Sequence, residues 1–335
     1  MFSVHRVPLY RSERRRARLL QAALAAHDGG YRLPEIGAHV LQGLQGVAPD
    51  APRLIERLAP DAVLLAGSEQ PYNLEVLGRP GQGGRPRVVV LPMAGDVRFL
   101  RSPMVQRLLV HADTVAAVHP GEERALSLAP DPSPEVVPLN LALSVNRGSA
   151  EHRLFGVRAF GRYVVLLRRF PAGGPRFERS ITHEVLREIV APMSVAEVDG
   201  VRWRITDATQ TLDLPVGPSR VNFWRLLAHA AAVVDLRPPG PVGREAIEAM
   251  MLGVPALVPD GSAAMEHVAA GSGGLWYASY RELAAELEAL RDEGLRRSLA
   301  AAGQAYAESR HGDLTRFVES MEELVLGGRR LAVAG

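Results

Sequence analysis

The chain has 335 residues, 47% hydrophobic and 23% charged, with a formal net charge of +2. It is long enough for two domains with separate cores, and too nearly neutral overall to be a polyanion binder, so no nucleic-acid partner is expected. Cysteine is absent and all 39 basic residues are arginine, which excludes disulfides, thiolate metal sites, a cysteine nucleophile, a Schiff-base lysine and a Walker lysine.

Residues 11–18, RSERRRAR, precede an apolar stretch at 19–24 and read as the basic start of an amphipathic helix. Such a start could make a peripheral contact with the inner face of a membrane, or be a solvated helix face. No apolar run reaches the length of a membrane span and the opening residues lack a signal-peptide pattern, so the expected location is cytoplasmic.

Further along, short β-branched runs alternate with helix-length segments, the pattern of parallel sheets in α/β domains. Strands are expected at 62–65, 88–91, 114–118 and 135–137. The polar stretch 141–154 reads as a linker. A second run of strands is expected at 163–167, 193–198, 201–205, 231–236 and 254–258, with helices at 281–291, 295–309 and 314–325.

Residues 243–260, GREAIEAMMLGVPALVPD, carry the most chemistry. A Pro/Gly loop at 238–243 leads into a helix that opens at Arg244-Glu245, buries Ile247, Met250 and Met251, and stops at Gly253. A helix start behind such a loop offers unpaired backbone N–H groups and the positive end of a dipole, which suits a pyrophosphate. Glu248 lies four residues after Arg244 and shares its face. A carboxylate there could accept both hydroxyls of a ribose, or be an exposed acid on an amphipathic helix.

This stretch resembles the donor site of the family-four retaining glycosyltransferases, which have the GT-B fold. Residues 247–256, IEAMMLGVPA, match the centre of that family's pattern, and residues 260–268, DGSAAMEHV, match the turn and acidic residue that follow it. Weaker matches run through the first half, at 60–63, 91–96, 112–115 and 136–140, so the likeness covers most of the chain.

The resemblance implies an α/β fold of two Rossmann-like domains with parallel sheets facing a central cleft. Residues 1–145 would form an abbreviated acceptor-side domain and residues 155–327 the donor domain, with the last helix sent back across the first. It implies sugar transfer from a UDP- or GDP-linked donor to a small-molecule, lipid or polysaccharide acceptor, with retention, no metal and no permanently bound cofactor. Gly240, Val242, Gly243, Arg244 and Glu245 would hold the diphosphate and Glu248 the ribose. Arg169 matches the family's phosphate-binding arginine and Arg168 stands where glycine is usual; Arg176 could replace the lysine that normally follows. Solvated arginines at a strand end are the alternative.

Several family positions are vacant. Eight residues before Glu248, where a first glutamate is expected, stands Gly240, leaving Asp235 or Glu245 as substitutes. No glycine-rich loop opens the chain, and Met93-Ala94-Gly95-Asp96 replaces the segment with the mid-domain histidine. Asp96 could orient an acceptor hydroxyl or cap a helix. His119 could face the cleft or be a turn residue. These vacancies keep open a GT-B protein without transferase activity, acting as a partner or scaffold in a glycosylation or envelope assembly. An epimerase of the same fold is a third reading, for which the acidic residues and histidine around the sugar are not located.

Overall fold

The computed structural model describes residues 62–66, 85–92, 100–101, 106, 109–126, 134–154, 156–160, 162–167, 194–199, 202–207, 209–214, 219–236 and 242–326. The chain divides into two units, residues 1–142 with 313–335, and residues 143–312.

In the first unit, β1 (Ala62–Ala66), β2 (Arg87–Leu91), β3 (Thr114–Ala117) and β4 (Glu135–Pro138) form a parallel sheet in that order. Val88 to Leu91 and all of β3 are buried, as expected of strands covered on both faces. Between β3 and β4 lies α1 (Pro120–Leu126). Pro120 takes the first helical position, where its missing N–H costs nothing, and Glu122 Oε2 accepts from the Val118 amide at 2.7 Å.

The second unit begins with α2 (Arg147–Ala150) and a 3₁₀ turn (Val157–Phe160), then β5 (Tyr163–Leu167), β6 (Ser194–Asp199), β7 (Arg202–Thr206) and β8 (Thr211–Asp213). Next come α3 (Arg220–Leu227), β9 (Ala232–Asp235), α4 (Arg244–Met251), β10 (Ala256–Pro259), α5 (Ala263–Gly271), β11 (Gly274–Tyr277), α6 (Tyr280–Ala289) and α7 (Glu293–His311). The sheet order is β11-β10-β9-β5-β6-β7-β8. From β5 the chain moves to one side through β6, β7 and β8, and then crosses to the other side of β5 to lay down β9. The strand order therefore reverses between β5 and β9.

β11, β10, β9, β5 and β6 run parallel. β7 and β8 are antiparallel additions, a departure from the parallel sheet expected throughout. Only two residues separate β6 from β7, enough for a hairpin and far too few for a crossover. At the next turn, Asp207 Oδ1 accepts from the amides of Thr209 at 2.7 Å and Gln210 at 2.8 Å. On one face of the sheet, Val164, Leu166, Ala232, Val234 and Leu257 pack with Leu283, Leu287 and Leu290.

The last helix, α8 (Leu314–Leu326), belongs to the first unit and lies against β1 and β2. Phe317, Val318 and Leu324 are its buried face, and Arg87 Nε donates to the Leu324 carbonyl at 3.1 Å. No helix among the described residues is long and apolar enough to cross a membrane.

Candidate functional site

Helices that connect parallel strands start where the preceding strand ends. α3, α4 and α5 therefore all begin at the C-terminal edge of the second sheet. Ligands of open α/β sheets bind outside that edge, at the point where strand order reverses. Here that point lies between β5 and β9, and α4 is the helix that follows β9.

The start of α4 differs from its neighbours. Ser219 caps α3, Ser262 caps α5, Ser279 caps α6 and Asp292 caps α7, each through a side-chain oxygen on a first-turn amide. α4 has Gly243 at its N-cap and no side-chain cap among the described residues. Gly243 has φ +63°, and a Cβ there would lie 2.7 Å from the Ala264 nitrogen, so only glycine fits between the starts of α4 and α5. Its carbonyl accepts from Ala246 at 3.0 Å and Ile247 at 3.2 Å, the first bonds of the helix. At the other end Gly253, with φ +70°, closes a Schellman motif: its amide bonds Met250 and the Val254 amide bonds Ala249, both at 2.9 Å.

Behind the helix start sits a cluster of four charges. Glu248 is 0% exposed. Its Oε1 accepts from Arg220 Nε at 2.8 Å and from Arg244 Nε at 2.9 Å, and Arg220 Nη2 lies against Oε2. Arg220 Nη1 also reaches Glu245 Oε1 at 3.4 Å. Burial pushes the Glu248 carboxyl above its ordinary range, and the Arg220 and Arg244 guanidiniums oppose that rise. The alternative of an exposed acid at 248 is thereby removed. The shared face of Arg244 and Glu248 is an ion pair: Oε1 accepts from both arginines, and Oε2 faces Arg220 Nη2.

Arg220 was not singled out from the sequence. It is the first residue of α3, and its guanidinium lies 5.1 Å from the centre of the Phe223 ring, which meets Trp203 of β7 edge-on at 6.3 Å. A signal did exist: an arginine directly after a serine cap occupies a position where acidic residues are favoured by the dipole.

The remaining expected residues are placed as follows. Val242 is buried next to Gly243. Asp235 ends β9, and its backbone carbonyl accepts from the Tyr277 hydroxyl at 2.7 Å. His119 is buried at the start of α1, where its Nδ1 accepts from the Glu122 amide at 3.3 Å, so it serves the turn. Asp96, Arg168, Arg169, Arg176 and Gly240, together with residues 11–18, lie outside the described residues. No group of three or more metal-binding side chains occurs among the described residues.

Two units with parallel α/β sheets, the second with its strand order reversing between β5 and β9, have the GT-B fold. No protein-family model matches the chain, and no curated protein matches it. Solved structures do. HepE of Anabaena in complex with UDP-glucose has a TM-score of 0.59 over 92% of this chain and 88% of its own, at 16% identity. Sucrose-phosphate synthase from Thermosynechococcus elongatus has 0.57 over 81% and 74%, also at 16% identity. WaaG, a glycosyltransferase of lipopolysaccharide biosynthesis, has 0.52 over 98% and 99%, at 14% identity. At such identities the likeness establishes fold, and chemistry has to be argued from side chains.

Proposed function

We propose that the chain is a glycosyltransferase that takes its sugar from a UDP- or GDP-linked donor, with retention and without a metal ion. One observation carries the reading: an uncapped helix start with two arginines and a buried carboxylate lies directly behind β9, at the reversal point of the second sheet. The donor diphosphate lies at the first amides of α4, beside Val242 and Gly243, with Gly240 in the approach loop and Glu245 flanking it. Arg168 and Arg169 follow β5, the strand across the reversal point, and add positive charge. Glu248 takes the ribose hydroxyls.

In this reading the acceptor hydroxyl attacks the anomeric carbon from the face the diphosphate leaves, and its proton passes to the departing phosphate oxygen. Catalysis consists of positioning and of stabilising charge on that oxygen by oriented amides and guanidiniums. Asp96 orients the acceptor hydroxyl, and the acceptor is a small molecule, a lipid or a polysaccharide. Likeness to HepE, solved with UDP-glucose, supports the donor class.

Thermal melting with UDP, GDP and their sugars tests the reading. A ligand held at one hundred times its dissociation constant stabilises by about 2.7 kcal/mol, so one base should raise the melting temperature and the other should not. Glu248→Ala should remove that rise. A folded sample unmoved by every nucleotide would instead point to a partner or scaffold role.

A further inference from the structure

Arg220 and Arg244 each occupy the first position of a helix, α3 and α4, so both guanidinium-bearing residues stand at the positive ends of dipoles. Cations are disfavoured there, and among the described residues the carboxylates against them are Glu245 and Glu248. Arg220 has a second support that does not depend on Glu248, the Phe223 ring beneath it, which rests in turn on Trp203. If the carboxylate were taken by another group, the guanidinium would keep a platform.

The chemistry of the pair is complementary to the two halves of a nucleoside diphosphate. Guanidinium groups only donate hydrogen bonds and a carboxylate only accepts them. A ribose diol must donate to an acceptor, and the oxygens of Glu248 face the guanidiniums of Arg220 and Arg244 instead. A diphosphate needs donors, and Arg220 and Arg244 supply charged ones at the starts of α3 and α4.

We propose that Arg220 is a donor-binding residue that works by partner exchange. In the empty protein its fork is held on Glu248. When a nucleoside diphosphate enters, the fork transfers to the diphosphate and the released carboxylate takes the ribose hydroxyls. The inference rests on the donor-site reading above. It also goes beyond it, because it makes the site a joint detector of phosphate and ribose. A bare nucleoside would strip Glu248 from Arg220 without giving the guanidinium a new partner. Bare pyrophosphate would leave the carboxylate with Arg244 alone. Each fragment alone therefore binds more weakly than their linked form, because it breaks the Arg220–Glu248 contact and replaces only one side of it.

The test is calorimetric titration of wild type and Arg220→Gln with UDP or GDP, whichever the wild type binds, and with the matching nucleoside. The expected result is a split in sign: the variant loses tenfold or more in affinity for the diphosphate, while its affinity for the nucleoside is unchanged or rises, because Glu248 is less covered. Arg220→Lys keeps the charge without the fork and should show the same split at smaller size, which keeps the test decisive if the glutamine variant folds poorly. Loss of affinity for both ligands alike, or for neither, would overturn the exchange and leave the donor site standing. A wild type that binds no nucleoside diphosphate at all would remove the donor-site reading itself and the exchange with it.

Discussion

Arg220 and Glu248 are paired across α3 and α4, with Nε donating to Oε1 at 2.8 Å and Nη2 against Oε2. Because the carboxyl is fully buried, removing the arginine costs stability in a pH-dependent way. Burial already raises the Glu248 carboxyl above its ordinary 4.5, so in the folded protein it holds its proton to higher pH than in the unfolded chain. Its contribution to stability therefore declines as pH rises from that ordinary value through the folded one. Arg220→Gln removes a cation that opposes the rise, which extends the decline to higher pH. The variant should lose about 3 kcal/mol near pH 8 and distinctly less near pH 5, read from urea unfolding at both. Equal losses at the two pH values would mean that the contact carries no ionic character.

Gly243 and Gly253 both have positive φ, but only Gly243 is also crowded. At Gly253 the nearest atom to a new Cβ is Gln304 Oε1 at 3.6 Å, so alanine there meets only left-handed strain, about 1–2 kcal/mol. Gly243→Ala adds a collision with the backbone of Ala264, which has no flexible end to yield. Denaturant midpoints should fall further for Gly243→Ala than for Gly253→Ala, and only the former should also weaken nucleotide binding.

Tyr163 opens β5, is 1% exposed, and donates from its hydroxyl to the Leu226 carbonyl at 2.6 Å. Burial raises its hydroxyl above the ordinary tyrosine range, so it stays a donor at any pH the protein tolerates. Tyr163→Phe leaves that carbonyl unpaired near the end of α3 and should cost about 1–3 kcal/mol. Hydrogen exchange would show faster opening of α3 than of α6.

In α8, Phe317 is 5% exposed and belongs to the buried face that covers the first sheet. Phe317→Ala should destabilise the first unit by about 3–5 kcal/mol, with little effect on the second. Exchange protection should drop in β2 and stay unchanged in β9 and β10. A uniform drop across both sheets would contradict the division into two units.

Much of the parallel framework was legible because buried parallel strands are runs of β-branched residues, as in Arg87-Val88-Val89-Val90-Leu91 and Tyr163-Val164-Val165-Leu166-Leu167. α4 and its stop at Gly253 were equally plain, since the helix stripe and the terminating glycine fall at fixed offsets. β8 was invisible: it is three residues long and its ends are exposed, and the hairpin that places it depends on the Asp207 turn. β11 was missed because it is four residues long and opens on Gly274, where a Cβ would strike the backbone of Ala256. Within the site, Arg244 was readable because its partner is four residues away. Arg220 was not, because 28 residues separate it from Glu248 and only the crossing from β8 to β9 brings them together.

The return of α8 to the first sheet reverses the usual order of events on the ribosome. Domains ordinarily mature in the order they are synthesised. Here β1 and β2 emerge early, yet the helix that shields them is translated only after the whole second unit. The later-made unit can thus finish folding before the earlier-made sheet receives its α8 cover.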